Sequence, residues 1–316
     1  MSFVQRISVL RSRGRSSAAW VGVYVGAERV VAALCSGRSH GRPEVRVAPV
    51  FDGERAAHDL LEWQRREYRH SATNLLLNSG DYQILPLDAP PVAPEEQRGA
   101  VRWQIKDLID FPADEACIDC LAVPGATLGA ESRRLFAVVA PKSKVQPWMQ
   151  RYRQASLDLR AIDIPEMAFR NLSVLAAGDS PHAFVHVGLH STRLALIWQR
   201  ELCSFRKFDL SARMLENALD EEHPLIIERL ALEVQRTVDA FSRQFHGADL
   251  STVWLSSLRQ PDALAAQLAP LLPQKVQVYH LADHITLQGS TPATDLERGI
   301  DVTLAIGAAL RGDLTS

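Results

Sequence analysis

Two short stretches of this 316-residue chain share a pattern that can hold phosphate. Val23-Tyr24-Val25-Gly26-Ala27-Glu28-Arg29-Val30-Val31 and Val185-His186-Val187-Gly188-Leu189-His190-Ser191-Thr192-Arg193-Leu194 each read apolar, polar, apolar, Gly, turn, then a second apolar strand. Gly lets backbone N–H groups approach a ligand, so such a hairpin can cradle an anion. An acid just before the Gly can organise Mg²⁺ or a water, but these positions are Tyr24 and His186. Gly26 and Gly188 lie 162 positions apart, about half the chain, and a duplicated hairpin is the economical explanation.

Other chemistry-bearing patterns are weaker. Cys117-Ile-Asp-Cys120 has C-x-x-C spacing, yet zinc wants a second pair, and Cys35 and Cys203 stand alone. In a strand, residues three apart face opposite sides, which also disfavours a dithiol. His186 and His190 alternate at a strand end with no nearby carboxylate, a setting that suits a polar turn better than a metal. The chain contains no G-x-S-x-G, no H-E-x-x-H and no G-x-x-x-x-G-K-[ST].

The elements that must position these residues follow from periodicity. Trp20–Val25 and Arg29–Leu34 read as strands, and Leu60, Leu61, Gln64 and Tyr68 share a helix face. Val101, Ile105, Leu108 and Ile109 predict an amphipathic helix that runs to Pro112. Trp103, Lys106, Asp107 and Asp110 form a second stripe on the opposite face, so the indole needs covering by another part of the chain or by a partner. Pro165 opens a helix through Met167, Ala168, Leu172 and Leu175. After the linker Gly178-Asp179-Ser180-Pro181 a second series of strands and helices begins, with Leu230, Val234, Thr237, Phe241 and Phe245 on one long helix. Strand–helix alternation in both halves predicts two related α/β domains.

The expected organisation is a basic N-terminal segment at 1–19 and a first domain at 20–180, with an inserted subdomain at about 88–155. A second domain follows at 181–298, and a C-terminal helix at 299–316 returns to the first. Composition agrees: 47% hydrophobic and 23% charged residues describe a globular protein, and a net charge of −2 excludes a nucleic-acid polycation. Arg supplies 30 of the 35 basic residues. No apolar run reaches membrane-spanning length, four Cys agree with a reducing compartment, and a cytoplasmic location is expected. Arg6, Arg11, Arg13 and Arg15, with Phe3, Val4, Ile7 and Leu10 at near-helical spacing, read either as a solvated terminus or as a peripheral contact with anionic lipid.

The stretch Ala100-Val101-Arg102-Trp103-Gln104-Ile105-Lys106-Asp107-Leu108-Ile109-Asp110-Phe111-Pro112, followed by Asp119, resembles the signature of the MshI family of MSHA (mannose-sensitive haemagglutinin) pilus biogenesis proteins. These are relatives of PilM, the cytoplasmic actin-like protein of type IV pilus assembly. Ile162-Asp163-Ile164-Pro165-Glu166-Met167-Ala168-Phe169-Arg170-Asn171-Leu172, Leu232-Glu233-Val234-Gln235-Arg236-Thr237-Val238-Asp239 and Ala305-Ile306-Gly307-Ala308-Ala309-Leu310-Arg311 extend the resemblance over nearly all of residues 20–311.

The resemblance implies a duplicated actin-like (ribonuclease H-like) fold with an interdomain cleft. It implies a place in the pilus assembly platform, and as partner the tail of a PilN-like bitopic inner-membrane protein, with Trp103, Lys106, Asp110 and Phe111 lining the groove. It also implies nucleotide-binding positions at Gly22, Gly26, Gly188, Ser191, Glu233 and Arg236. Glu233 and Arg236 read equally as an ordinary i, i+3 pair. Nucleotide-binding relatives carry Asp-x-Gly in both hairpins and Gly-Gly in a later adenosine turn. Here those places read Tyr24, His186 and Ser256-Ser257-Leu258-Arg259. The expectation is a scaffold without catalytic residues, metal or resident cofactor. The alternatives are an ATP/Mg-gated switch of the same fold and, third, a sugar kinase-like enzyme.

Overall fold

The computed structural model describes residues 19–27, 29–124, 134–245, 247–288 and 299–314, so Arg6, Arg11, Arg13 and Arg15 lie outside the described residues. The first half contains β1 (Trp20–Val25), β2 (Arg29–Ser39), β3 (Arg42–Val47), β4 (Phe51–Asp52), α1 (Ala56–Glu67), β5 (Ala72–Leu76), β6 (Gln83–Asp88), α2 (Gln97–Ile105), β7 (Ala116–Ala122), β8 (Arg134–Pro141), α3 (Lys142–Gln154), β9 (Asp158–Asp163) and α4 (Pro165–Ala177). The second contains β10 (His182–Val187), β11 (Thr192–Trp198), β12 (Glu201–Phe208), α5 (Ala212–Asn217), α6 (His223–Gln244), β13 (Thr252–Ser257), α7 (Pro261–Leu268), β14 (Lys275–Val278), α8 (Leu281–His284), β15 (Thr286–Leu287), α9 (Ile300–Ala309) and α10 (Arg311–Leu314).

The duplication is visible in the strand order. The first sheet runs β15-β3-β2-β1-β5-β9 and the second runs β12-β11-β10-β13-β14, so each has a central strand with an antiparallel hairpin partner on one side and parallel strands on the other. Trp20 pairs with Cys35 and Val25 with Val30; in the second copy His182 pairs with Ile197 and Val187 with Thr192. Central strands buried on both faces read as near-continuous apolar runs, as in Phe184-Val185-His186-Val187.

Helix packing follows the same logic. On α6, Ile227, Leu230, Val234, Val238 and Phe241 are buried at helical spacing against the second sheet. α4 and α9 are buried on nearly every side and lie in the core against each other. A Cβ at Gly22 would stand 2.1 Å from the Ala305 carbonyl oxygen, and one at Gly307 would stand 2.6 Å from that of Ala168. Absent side chains at both positions let α9 wedge between β1 and α4.

Several sequence expectations change. α2 stops at Ile105, and the chain then turns with Leu108 N–H donating to Ile105 O, so Leu108 points to solvent instead of extending the apolar stripe. The inserted unit is the three-stranded sheet β6-β8-β7 with α2 on it. α3 belongs to the first domain, because Val145, Trp148 and Tyr152 bury against Val21, Leu60 and Leu75. Return to the first sheet begins before residue 299: Thr286 and Leu287 pair in parallel with Glu44 and Val45. β3, with Pro43 as its second residue, and the short α5 were not expected from the pattern.

Candidate functional site

Between the inserted unit, α4 and the second sheet lies a cleft of about 560 Å³. Its walls include Ile84 and Phe136 from the inserted unit, Glu166 from α4, and Arg193, Leu202 and Phe205 from β11 and β12. Glu166 is buried one residue after the Pro that starts α4, and the Tyr82 hydroxyl donates to its Oε2 at 2.5 Å. Burial raises the Glu166 carboxyl pKa above the ordinary range, only partly offset by Tyr82. Arg193 is half-buried on the hairpin beyond Gly188, and its charge is felt at Tyr24, Tyr82, Glu166, His186 and Asp301.

The two hairpin ends hold neutral rings. Tyr24 is buried, and that burial, with the nearby Asp301 carboxylate, raises its hydroxyl pKa. His186 is buried against Phe169, ring centroids 5.4 Å apart, with Nδ1 hydrogen-bonded to Ser256 Oγ at 3.2 Å. Burial and Arg193 push its pKa down to about 3, so the imidazole is uncharged. Gly26 N–H donates to Arg29 O at 2.9 Å and Gly188 N–H to Ser191 O at 3.1 Å, so both amides close their own turns. Ser257 Oγ bonds the backbone of Arg259 as donor and acceptor, closing the later turn on itself.

In overall geometry the chain is similar to a solved structure described as a PilM–PilN type IV pilus biogenesis complex. The TM-score is 0.63 at 20% identity, over 95% of this chain and 99% of that one. The chain has the actin-like fold, with the duplicated sheet order described above. It is also similar to the cytoplasmic domain of EpsL, an inner-membrane component of the type II secretion system of Vibrio cholerae, with TM-score 0.48 and 11% identity over 95% and 96% of the two chains. A Bacteroides thetaiotaomicron protein with an actin-like ATPase fold and unknown function gives 0.47 and 9% over 86% and 93%. No protein-family model matches the chain, and no curated protein matches it.

An actin-like cleft invites a test for Mg²⁺ and nucleotide, and the donor set does not fit them. The strand-end positions offer a phenol and a neutral imidazole. Asp301 pairs with Arg29 at 3.8 Å, Glu166 is held by Tyr82, and no group of three metal-ligating side chains converges among the described residues. Gly22 is explained by α9 lying against it. Glu233 sits between Arg206 (3.4 Å) and Arg236 (3.7 Å), while the Arg206 guanidinium also donates to Thr237 Oγ1 at 3.2 Å. That network ties α6 to β12 and leaves the Glu233–Arg236 pair an ordinary intrahelical contact within it.

The four expected partner residues do not form one stripe. Trp103 is 76% exposed and Lys106 is exposed beside it, whereas Asp110 accepts from Gln83 Nε2 at 3.4 Å and Phe111 packs inward on the inserted unit's core. Leu108, 53% exposed, takes the apolar place beyond Trp103. Sequence reading missed it because the helix was extended one turn too far. Arg98 pairs with buried Asp119 at 3.2 Å, and Arg102 donates to the carbonyls of Ala113 and Ala116, so the signature residues Arg102 and Asp119 help to fasten α2 to β7. Cys117 and Cys120 face different clusters, and burial pushes the Cys120 thiol up to about 11. His186 is buried and His190 exposed, so they share no site.

Neutral His186 has a measurable consequence. Its folded pKa lies below the unfolded value of 6.5, so the unfolded chain takes up the proton first as pH falls. Stability from this group is full above pH 6.5 and declines toward about pH 3, at up to ~1.4 kcal/mol per pH unit. His186→Phe should cost about 1 kcal/mol at neutral pH for the Ser256 hydrogen bond. It should also flatten the acid limb of a urea-denaturation series. An unchanged slope would show that His186 titrates normally.

Proposed function

We propose that the protein is a non-hydrolysing actin-like scaffold of a type IV pilus machine of the MSHA type, capturing the cytoplasmic tail of a PilN-like inner-membrane protein. It would stand on the cytoplasmic side, held at the membrane through that partner. The observation that carries this reading is the bare indole of Trp103, with Leu108 exposed five residues further on in the inserted unit, two large apolar side chains that the fold leaves to solvent. Likeness to PilM over almost the full length of both chains supplies the class of partner. Lys106 and Asp107, 4.0 Å apart and exposed, give the patch a polar rim.

Neutral rings at 24 and 186, and hairpin amides turned inward, support capture without phosphoryl transfer, which needs a metal and a positioned base. Titration of a synthetic PilN-like tail, followed by Trp fluorescence and calorimetry, tests the reading. Trp103→Ala should weaken binding by at least ~2 kcal/mol, roughly 30-fold, with stability unchanged. Unaltered affinity in Trp103→Ala would remove the proposed groove. Micromolar binding of ATP with Mg²⁺ in the same calorimeter would instead favour a nucleotide-gated switch.

A further inference from the structure

A second apolar surface lies on the other domain, around the turn from α5 to α6. Leu219 is 70%, Leu225 62% and Met214 40% exposed. Beside them a groove of about 370 Å³ opens between α5, the start of α6 and α7, with Leu215, Ala218 and Leu264 in its lining. Glu216 at its edge pairs with Arg259 at 3.1 Å.

The charge of this surface is net negative. Residues 213–229 carry five carboxylates, Glu216, Asp220, Glu221, Glu222 and Glu228, against two arginines, Arg213 and Arg229, at its ends. Arg259 answers Glu216, and Glu222 Oε2 accepts the Leu219 N–H at 3.3 Å. Asp220, Glu221 and Glu228 are exposed and pair with no cation among the described residues. Apolar side chains ringed by carboxylates repel an anionic lipid surface and suit a basic amphipathic chain.

The chain itself carries such a segment. Residues 1–18 place Phe3, Val4, Ile7 and Leu10 at near-helical spacing and add Arg6, Arg11, Arg13 and Arg15 without a single acid. Residues 1–18 span about 60 Å if extended and about 27 Å if helical, against a radius of gyration of about 20 Å for a compact 316-residue fold. We propose that residues 1–18 dock on the α5–α6 face of their own chain, apolar side chains over Leu219 and Leu225 and arginines toward Asp220, Glu221 and Glu228. This surface belongs to the second domain and Trp103 to the inserted unit, and the two share no residue, so the proposal stands or falls independently of the pilus reading.

Full-length protein with benzoylphenylalanine at Phe3 tests it by photo-crosslinking and mass spectrometry. The expected adducts are intramolecular, fall within residues 214–232, keep their yield on dilution and weaken in high salt. Asp220→Arg with Glu221→Arg should lower the yield about tenfold, and adding Arg11→Glu with Arg13→Glu should restore it. These are exposed positions, so the fold should be unaffected, which circular dichroism checks. Adducts elsewhere, adducts only between two chains, or no rescue by the charge swap would overturn the proposal. So would preferential labelling of phosphatidylglycerol vesicles added to the same sample, because the segment would then be a membrane element.

Discussion

Asp163→Asn should lower unfolding free energy by about 3–5 kcal/mol, more than Arg311→Met at the other end of the same ion pair. Both side chains are buried, Asp163 at the end of β9 and Arg311 at the start of α10, and the guanidinium donates to Asp163 Oδ2. Arg170 on α4 is also buried; desolvation lowers its pKa, while Asp163 and Glu201 act to raise it. Removing Asp163 therefore takes the carboxylate partner from buried Arg311 and one of the two carboxylates, with Glu201, that favour the charged form of Arg170. Removing Arg311 leaves Asp163 with Arg170 still nearby. Asp163 Oδ1 further accepts the Ile164 N–H at 3.0 Å, where the chain enters α4, and Asn retains that bond, so the difference isolates charge. Urea denaturation of the two single variants decides the order, and Arg311→Met costing as much as Asp163→Asn would show that Arg170 plays no part.

Gly22→Ala should cost about 3 kcal/mol, at the upper end of overpacking. The new methyl would meet the Ala305 carbonyl oxygen at 2.1 Å and the Ala309 nitrogen at 2.2 Å, both backbone atoms of α9 that cannot rotate away. β1 is hydrogen-bonded on both sides, to β2 and β5, so it cannot yield either. Gly99→Ala is the control of opposite sign. Gly99 lies within α2 with nothing within 4 Å of a Cβ, and Ala there should stabilise by about 0.5–1 kcal/mol through helix propensity. Equal effects of the two substitutions would show that helix contact is not what requires Gly at 22.

Much of the framework was legible because it is local. Two strand–Gly–strand hairpins, the long stripe on α6 and the Pro at the start of α4 each depend on neighbours a few residues away. Their periodicity is written directly in the chain. The duplicated sheet order follows from those hairpins, since each central strand has one antiparallel partner by construction. Degeneracy of the strand ends was legible too, as Tyr24 and His186 where an acid would be needed.

Other features depended on what lies across the core. Leu108 and Phe111 exchanged roles because α2 ends at Ile105, which packing on the inserted sheet settles and a stripe count does not. Gly22 resembled a ligand-binding glycine until α9, some 280 residues later, proved to lie on it. Asp163 and Arg311 are 148 residues apart with no shared pattern, and the His186 pKa is lowered by burial, against Phe169 among other neighbours, and by Arg193. Sequence by itself determined the elements, their duplication and the missing carboxylates, because near-neighbour periodicity and residue identity need no partner. Tertiary structure alone decided which glycines are pressed by helices, which charges are buried together and which apolar faces remain bare, because each depends on desolvation by residues distant in the chain.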